Sequence, residues 1–204
     1  MSFIIFDTEY TTWPGCQENG WHGIQKKEIV QIAALKVSDN LKVLDKFNVH
    51  CKPVFNPVLS DYFTKLTHIT NTDIKKHGIL FPLAYKKFES FIGDNICYSH
   101  AWGKNYLNGA DGDIMEENIL LNNLSCTKNI IYRNIAPVFA ELYNKHKIKI
   151  QNQSSGQIAK LLGIEEKIKH LNLDVHNAFY DTYSILEGLK FFFPESIQLI
   201  KKIK

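Results

Sequence analysis

Paired cysteines, long apolar runs and one-sided charge are all missing from this chain, and each absence removes a class of protein. The four cysteines, Cys16, Cys51, Cys97 and Cys126, stand far apart and form no C-x-x-C pair. Zinc knuckles and small disulfide scaffolds both need closer spacing, so the thiols read as reduced ones in a cytoplasmic protein. No apolar run approaches the roughly 20 residues of a bilayer-spanning helix, and no membrane partner is expected. The opening Phe3-Ile4-Ile5-Phe6 is cut off by Asp7 before it could serve as a signal-peptide core. Six prolines and eleven glycines are too few for a collagenous or low-complexity chain. Leu, Ile, Val and Phe recur throughout, which excludes disorder. The net charge of +3 describes a solvated, lysine-bearing surface. It permits a nucleic-acid partner without arguing for one.

What is present is an ordinary globular composition, 45% hydrophobic and 22% charged over 204 residues. A chain of that length buries roughly 70% of the surface its unfolded form exposes, ample for a core without staples. With no internal repeat and no Gly, Ser or Pro-rich linker, a single domain over residues 1–204 is expected. The first strand is Phe3 to Phe6. Ile29 to Val37 and Leu41 to Cys51 read as two more, joined through the hairpin signal Asp39-Asn40. Tyr10 to Lys27, between the first two, is too long for a turn. After the Pro53 to Pro57 break, helical spacing takes over around Leu59 to Leu66 and again from a Thr70 to Asp73 start. Further helices are expected over Leu80 to Ile92, Ile114 to Leu124, Ile135 to Lys145 and Ser155 to Leu162, with a last one from about Asn177 to Phe193 stopped by Pro194. Ile96 to Tyr98 and Asn129 to Tyr132 complete the strands. The fold class is therefore α/β, a mixed five-stranded sheet flanked by helices.

Two groups of residues carry chemistry. Asp7 and Glu9 stand one residue apart at the end of an apolar strand, so both carboxylates leave the same face. Like charges so placed repel unless a cation lies between them or one stays protonated. A strand simply leaving into solvent would show the same pattern. Near the C-terminus, His176 and Asp181 are five residues apart, a rotation of about 140° on a helix. They converge only if His176 precedes the helix and Asp181 lies in its early turns, and Asn177 is a competent N-cap for that layout. A capping or surface histidine is the plainer alternative.

Taken together, FIIFDTEYTTWPG, EIVQIAAL, YFTKLTHITNTDI and HNAFYDTYSILEGL, in this order from Phe3 to Leu189, resemble the motif series of the DEDDh exonucleases. These form the DnaQ-like branch of the ribonuclease H-like superfamily, and the likeness is greatest to its ERI and KapD-like members. The resemblance implies a ribonuclease H-like fold, four acidic metal ligands and one histidine. Asp7 and Glu9 match the first motif; His176 and Asp181 match the last. For the second acidic motif Asp111 stands in register, with Ile114 and Met115 in the apolar places, and Asp113 is the alternative. The segment Ser99 to Gly109 before it is longer than the family pattern.

By this resemblance the protein is a 3′-to-5′ exonuclease using two Mg²⁺ or Mn²⁺ ions. Asp7 bridges both ions, Glu9 and Asp181 serve one and Asp111 the other, while His176 is the general base. Hard cations take oxygen ligands, which suits a carboxylate cluster. The implied substrate is single-stranded nucleic acid, RNA favoured over DNA. Thr8, Trp13, Trp21, His22 and His100 are candidate substrate contacts, the rings stacking on bases. Anchoring the loop, or local packing for His100 and Trp102, is the competing reading. Thr67 to Thr70 fits a scaffold turn. Rival functions are a catalytically silent nucleic-acid binder of the same fold and an oligoribonuclease-like enzyme for very short chains.

Overall fold

The computed structural model describes residues 2–101, 109–125, 129–149 and 153–203. Trp102 and Cys126 lie outside them, as does most of the long segment before Asp111. The five expected strands are present as β1 (Ser2–Tyr10), β2 (Ile29–Ser38), β3 (Val43–Lys52), β5 (Cys97–Ser99) and β6 (Tyr132–Asn134). A two-residue strand, β4 (Ile79–Leu80), extends the sheet to the order β4-β3-β2-β1-β5-β6. β1, β2 and β3 pair antiparallel, whereas β5 joins β1, β6 joins β5 and β4 joins β3 in parallel. The last strand starts at Tyr132, three residues after the expected start at Asn129. Ile131 still accepts from Cys97 N, at 2.9 Å, just ahead of the ladder.

Around the sheet, α1 (Cys16–Asn19) interrupts the β1–β2 connection, and α2 (Asp61–Thr67) and α3 (Asn71–His77) follow β3. Ser60 caps α2, and Thr70 with Asp73 forms a reciprocal capping box on α3. Next come α4 (Phe81–Ile92), α5 (Gly109–Leu121), α6 (Ala136–Lys145), α7 (Ile158–Leu161), α8 (Ala178–Phe191) and α9 (Glu195–Ile200). Two expected helices differ in outline. The helix over Ile114 to Leu124 begins earlier, at Gly109, which places Asp111 in the first turn, where the helix dipole favours a carboxylate. The helix over Ser155 to Leu162 divides into a 3₁₀ turn, Ser155–Gln157, and α7. Among the described residues no helix is long and apolar enough to cross a membrane.

β1 is buried on both faces, so its residues alternate between two cores. Phe3 and Ile5 pack with Leu35, Tyr98 and the apolar sides of α6, α7 and α8. Ile4 and Phe6 pack with α4 and with Ile114 and Met115 of α5. Continuing this alternation, Asp7 and Glu9 fall on the α8 side and Thr8 on the α5 side. The regular pairing of Asp7 with Ala33 and Glu9 with Gln31 holds that parity, and the register shifts only beyond Glu9.

The α8 layer sits close because of Gly188. A Cβ there would lie 2.5 Å from Ile158 Cγ2 and 2.8 Å from Phe139 Cε1, so a side chain must push α6 and α7 away from α8. Gly188→Val is expected to lower the unfolding free energy by about 2 kcal/mol, seen as a lower urea midpoint at unchanged slope. A variant as stable as the parent would remove this contact as the reason for a glycine in mid-helix.

Candidate active site

Helix α8 brings the second half of the site to β1. Asn177 caps it, its Oδ1 accepting from Phe179 N at 3.1 Å, so Asp181 falls in the first turn. His176 lies just outside, in a turn where its φ is +67°. This is the loop-then-helix layout that lets the two converge. Oxygen and ring-nitrogen atoms of Glu9, His176 and Asp181 lie within 4.8 Å of one another.

Asp7 and Asp111 enter through hydroxyls. Ser155 Oγ stands 3.0 Å from Asp7 Oδ1 and 2.9 Å from Asp181 Oδ2, bridging β1 and α8. Thr8 donates to Asp111 Oδ1 twice, from its backbone N at 3.0 Å and from Oγ1 at 2.7 Å. The residue between the two carboxylates of β1 thus pins the third, contributed by α5. Asp7, Asp111 and Asp181 are buried, Glu9 is partly exposed, and Asp113 is exposed on the other side of α5. A cleft of about 170 Å³ is lined by Asp7, Glu9, Asp111, Asp181 and His176 with Thr8, Ser155, Tyr10, Thr12, Leu66, His100 and Ala110.

Not every candidate reaches the cleft. Thr8 and His100 line it, His100 lying edge-on to Phe139 at 5.5 Å. Trp13, Trp21 and His22 do not. Trp21 anchors its loop: Nε1 donates to Thr11 O at 2.9 Å, and the ring lies 5.8 Å from that of Tyr10 and under Lys27 Nζ at 4.7 Å. His22 lines a separate cavity of about 510 Å³ within the β1–β2 connection. Conversely, Ser155 and Gly156 went unnoticed as site residues. A Cβ on Gly156 would collide with Asp181 Oδ1, so only glycine leaves the carboxylate its place. The available signal was a Ser-Gly pair opening a helical pattern, where a helix start has no need of glycine.

Residues 4–189 match the RNase_T family, described as an exonuclease. The chain belongs to this family of exonucleases. No curated protein matches it. Cell-death related nuclease 4 is similar in structure, with a TM-score of 0.67 and 18% identity over 93% of this chain and 62% of that one. The nuclease domain of 3′hExo, a DEDDh family member, gives 0.63 and 17% over 98% of this chain and 92% of the other. E. coli ExoI, in a zinc-bound complex with single-stranded DNA, gives 0.70 and 15% over 98% and 43%. At these identities the likeness shows the fold, which is the ribonuclease H-like one implied by the motifs. The chain spans under two thirds of the length of both cell-death related nuclease 4 and ExoI.

Members of an exonuclease family work with divalent metal, and the residues present suit one. Asp181 Oδ1 is buried with no hydrogen-bond partner among the described residues. None of the ion pairs there involves Asp7, Glu9, Asp111 or Asp181. Oxygen-rich, negatively charged and lined by no lysine or arginine among the described residues, the cleft has the donor set of a hard cation.

Electrostatics carries the cost of that arrangement. Burial, then repulsion from Asp111, Asp181 and Glu9, holds the Asp7 carboxyl well above its usual range. Glu9 is raised by burial and by Asp181 and Asp111. Burial pushes Asp111 up to about 6 against the Thr8 hydrogen bonds, and Asp181 up to about 7 against that of Ser155. Ser155 has one proton for two carboxyl neighbours, so its second contact is favourable when that neighbour is itself protonated. Burial lowers His176, favouring the neutral ring, and lowers His100 to about 4.

Because the folded carboxyls of this exonuclease bind protons more tightly than unfolded ones, their contribution to stability is complete at acid pH. It is lost as pH rises from the ordinary Asp value of 3.8 through about 7. In chelator, Asp181→Asn should flatten the decline in stability between pH 5 and 7 by up to about 1.4 kcal/mol per pH unit. Urea unfolding at several pH values measures it, and an unchanged slope would show that Asp181 is not protonated in the fold.

Proposed function

We propose that the chain is a metal-dependent 3′-to-5′ exonuclease acting on single-stranded nucleic acid, RNA favoured over DNA, as a single domain over residues 1–204. The observation that carries this reading is the meeting of Asp7, Glu9, Asp111, Asp181 and His176 in one cleft, delivered by β1, α5 and α8. The preference for RNA is supported by the 3′hExo nuclease domain, bound to rAMP, of which the chain covers 92%. Another neighbour is a 3′-exonuclease recognising a histone mRNA stem-loop. The buried free thiols Cys16, Cys51 and Cys97 suit a reducing compartment such as the cytoplasm.

Asp7, Glu9, Asp111 and Asp181 would hold two Mg²⁺ or Mn²⁺ ions between them. Bound there, such ions neutralise the charge that builds on a phosphodiester as it is attacked. The protein's own work is to orient and to move a proton. Thr8 and Ser155 hold three of the carboxylates at fixed separations, so little rearrangement accompanies binding. His176, neutral by burial and beside Glu9 and Asp181, accepts the proton of the attacking water. His100, packed on Phe139, and Thr8 border the substrate.

Incubation with 5′-labelled single-stranded RNA and DNA, in Mg²⁺, Mn²⁺ or chelator, tests the reading. Stepwise shortening from the 3′ end is expected only with metal, faster on RNA, and Asp7→Ala should abolish it with the fold retained. Retention of the oligonucleotide without shortening would identify a silent binder, and turnover confined to very short chains an oligoribonuclease-like enzyme.

His176→Ala should slow the reaction by about 10²–10⁴-fold with KM changed far less, since the imidazole acts on the water and not on the substrate. Single-turnover rates at saturating metal measure this. Nearly full activity would make His176 structural and send the search for a base to His100.

A further inference from the structure

From Ile29 to Leu35, strand β2 reads as an apolar core strand except at one place. Ile29, Val30, Ile32, Ala33, Ala34 and Leu35 are buried, and so, without any solvent exposure, is Gln31. A buried amide is costly unless its hydrogen bonds are made, and here they are made toward the site. Gln31 Oε1 accepts from Ala178 N at 3.0 Å, one of the N–H groups that the start of α8 leaves without an intrahelical partner. Its Nε2 donates to Asn48 Oδ1 of β3 at 2.9 Å and to Asn177 Oδ1 at 3.3 Å. Both donor hydrogens and the acceptor are thereby used, tying β3, β2 and the first turn of α8 together.

Immediately before the tied residues stands His176. Its φ of +67° is a left-handed conformation that residues with a Cβ adopt at a cost. The turn is closed behind it by Asn177 N donating to Asp174 O at 3.2 Å. Such a backbone persists only where its surroundings over-determine it. Gln31 supplies that fixing from the sheet, from the position paired with Glu9. Asp181 has its own tether in Ser155, whereas the segment bearing His176 is held through Asn177 and Ala178.

We infer that Gln31 is a positioning residue for hydrolysis, acting through Asn177 and Ala178 to hold the His176 imidazole against the Glu9 and Asp181 carboxylates. The inference rests on the reading of His176 as general base.

The test is a double-mutant cycle read as kcat and KM on 5′-labelled single-stranded RNA in Mg²⁺. Gln31→Met keeps the length of the side chain and removes its polar contacts. In the otherwise unaltered protein it should lower kcat by about 10- to 100-fold, the scale of a misplaced catalytic group, with KM within about threefold. In a His176→Ala background the same change should cost less than about threefold, because no imidazole remains to misplace. Equal losses in both backgrounds would mean a merely structural role and overturn the inference, as would Gln31→Met at the wild-type rate. Should Gln31→Met not fold, Gln31→Glu enters the same cycle with the same outcomes; it keeps an acceptor for Ala178 N and loses the amide NH₂ that reaches Asn48 and Asn177. Full activity of His176→Ala alone would instead overturn the general-base reading, and this inference with it.

Discussion

Every group at the site takes its place from the pleat of one buried strand. β1 has a core on each side, so its alternation cannot slip by a residue without turning Phe3 and Ile5, or Ile4 and Phe6, into the wrong layer. That constraint sends Asp7 and Glu9 toward α8 and Thr8 toward α5. The two helices then deliver Asp181 and Asp111 to opposite sides of the same strand end. The tight seat of α8 at Gly188 and the Gln31 link to its first turn fix the remaining freedom, the rotation and the height of that helix.

Against this packing works the repulsion of four carboxylates drawn into a small, partly dry cleft. No lysine or arginine among the described residues offsets it; hydroxyls do so in part. Ser155 and Thr8 each place a short, neutral donor between or against acidic groups, which lowers the cost of the charges without cancelling them. A guanidinium in the same place would have balanced the charge and closed the site to a cation. Burial and mutual repulsion hold the carboxyls above their usual range, a cost that an entering cation would relieve.

The basic surface is of a particular kind. The chain contains one arginine, Arg133, and its guanidinium is occupied at the sheet edge, donating from Nε to Ile203 O at 3.2 Å and from Nη1 to Tyr132 O at 2.8 Å. The other positive charges are lysines, which act as mobile point charges and lack the bidentate fork of arginine. Within the cleft, the lining beyond the acidic cluster, its hydroxyl partners and the two histidines includes Thr12, Leu66 and Ala110, with Tyr10. Trp21, which a linear reading sets beside Glu9, is committed to Tyr10 and Lys27 instead.

Strand alternation and helix capping are local rules, and they made much of this protein legible without coordinates. Five strands, the shared face of Asp7 and Glu9, and Asn177 as the cap that brings His176 and Asp181 together all follow from spacings within a few residues. The ordered motifs tied them to a family. Tertiary structure decided what depends on residues far apart in the chain. Asp111 and not Asp113 faces the cleft because Thr8, 103 positions away, bonds it. Ser155 and Gly156 belong to the site because they meet Asp7 and Asp181 across gaps that no period in the sequence records. Trp21 anchors its loop because it finds a carbonyl, a ring and a lysine to satisfy both its N–H and its face. Local sequence sets which face a side chain leaves from; only the packed chain sets what it meets there.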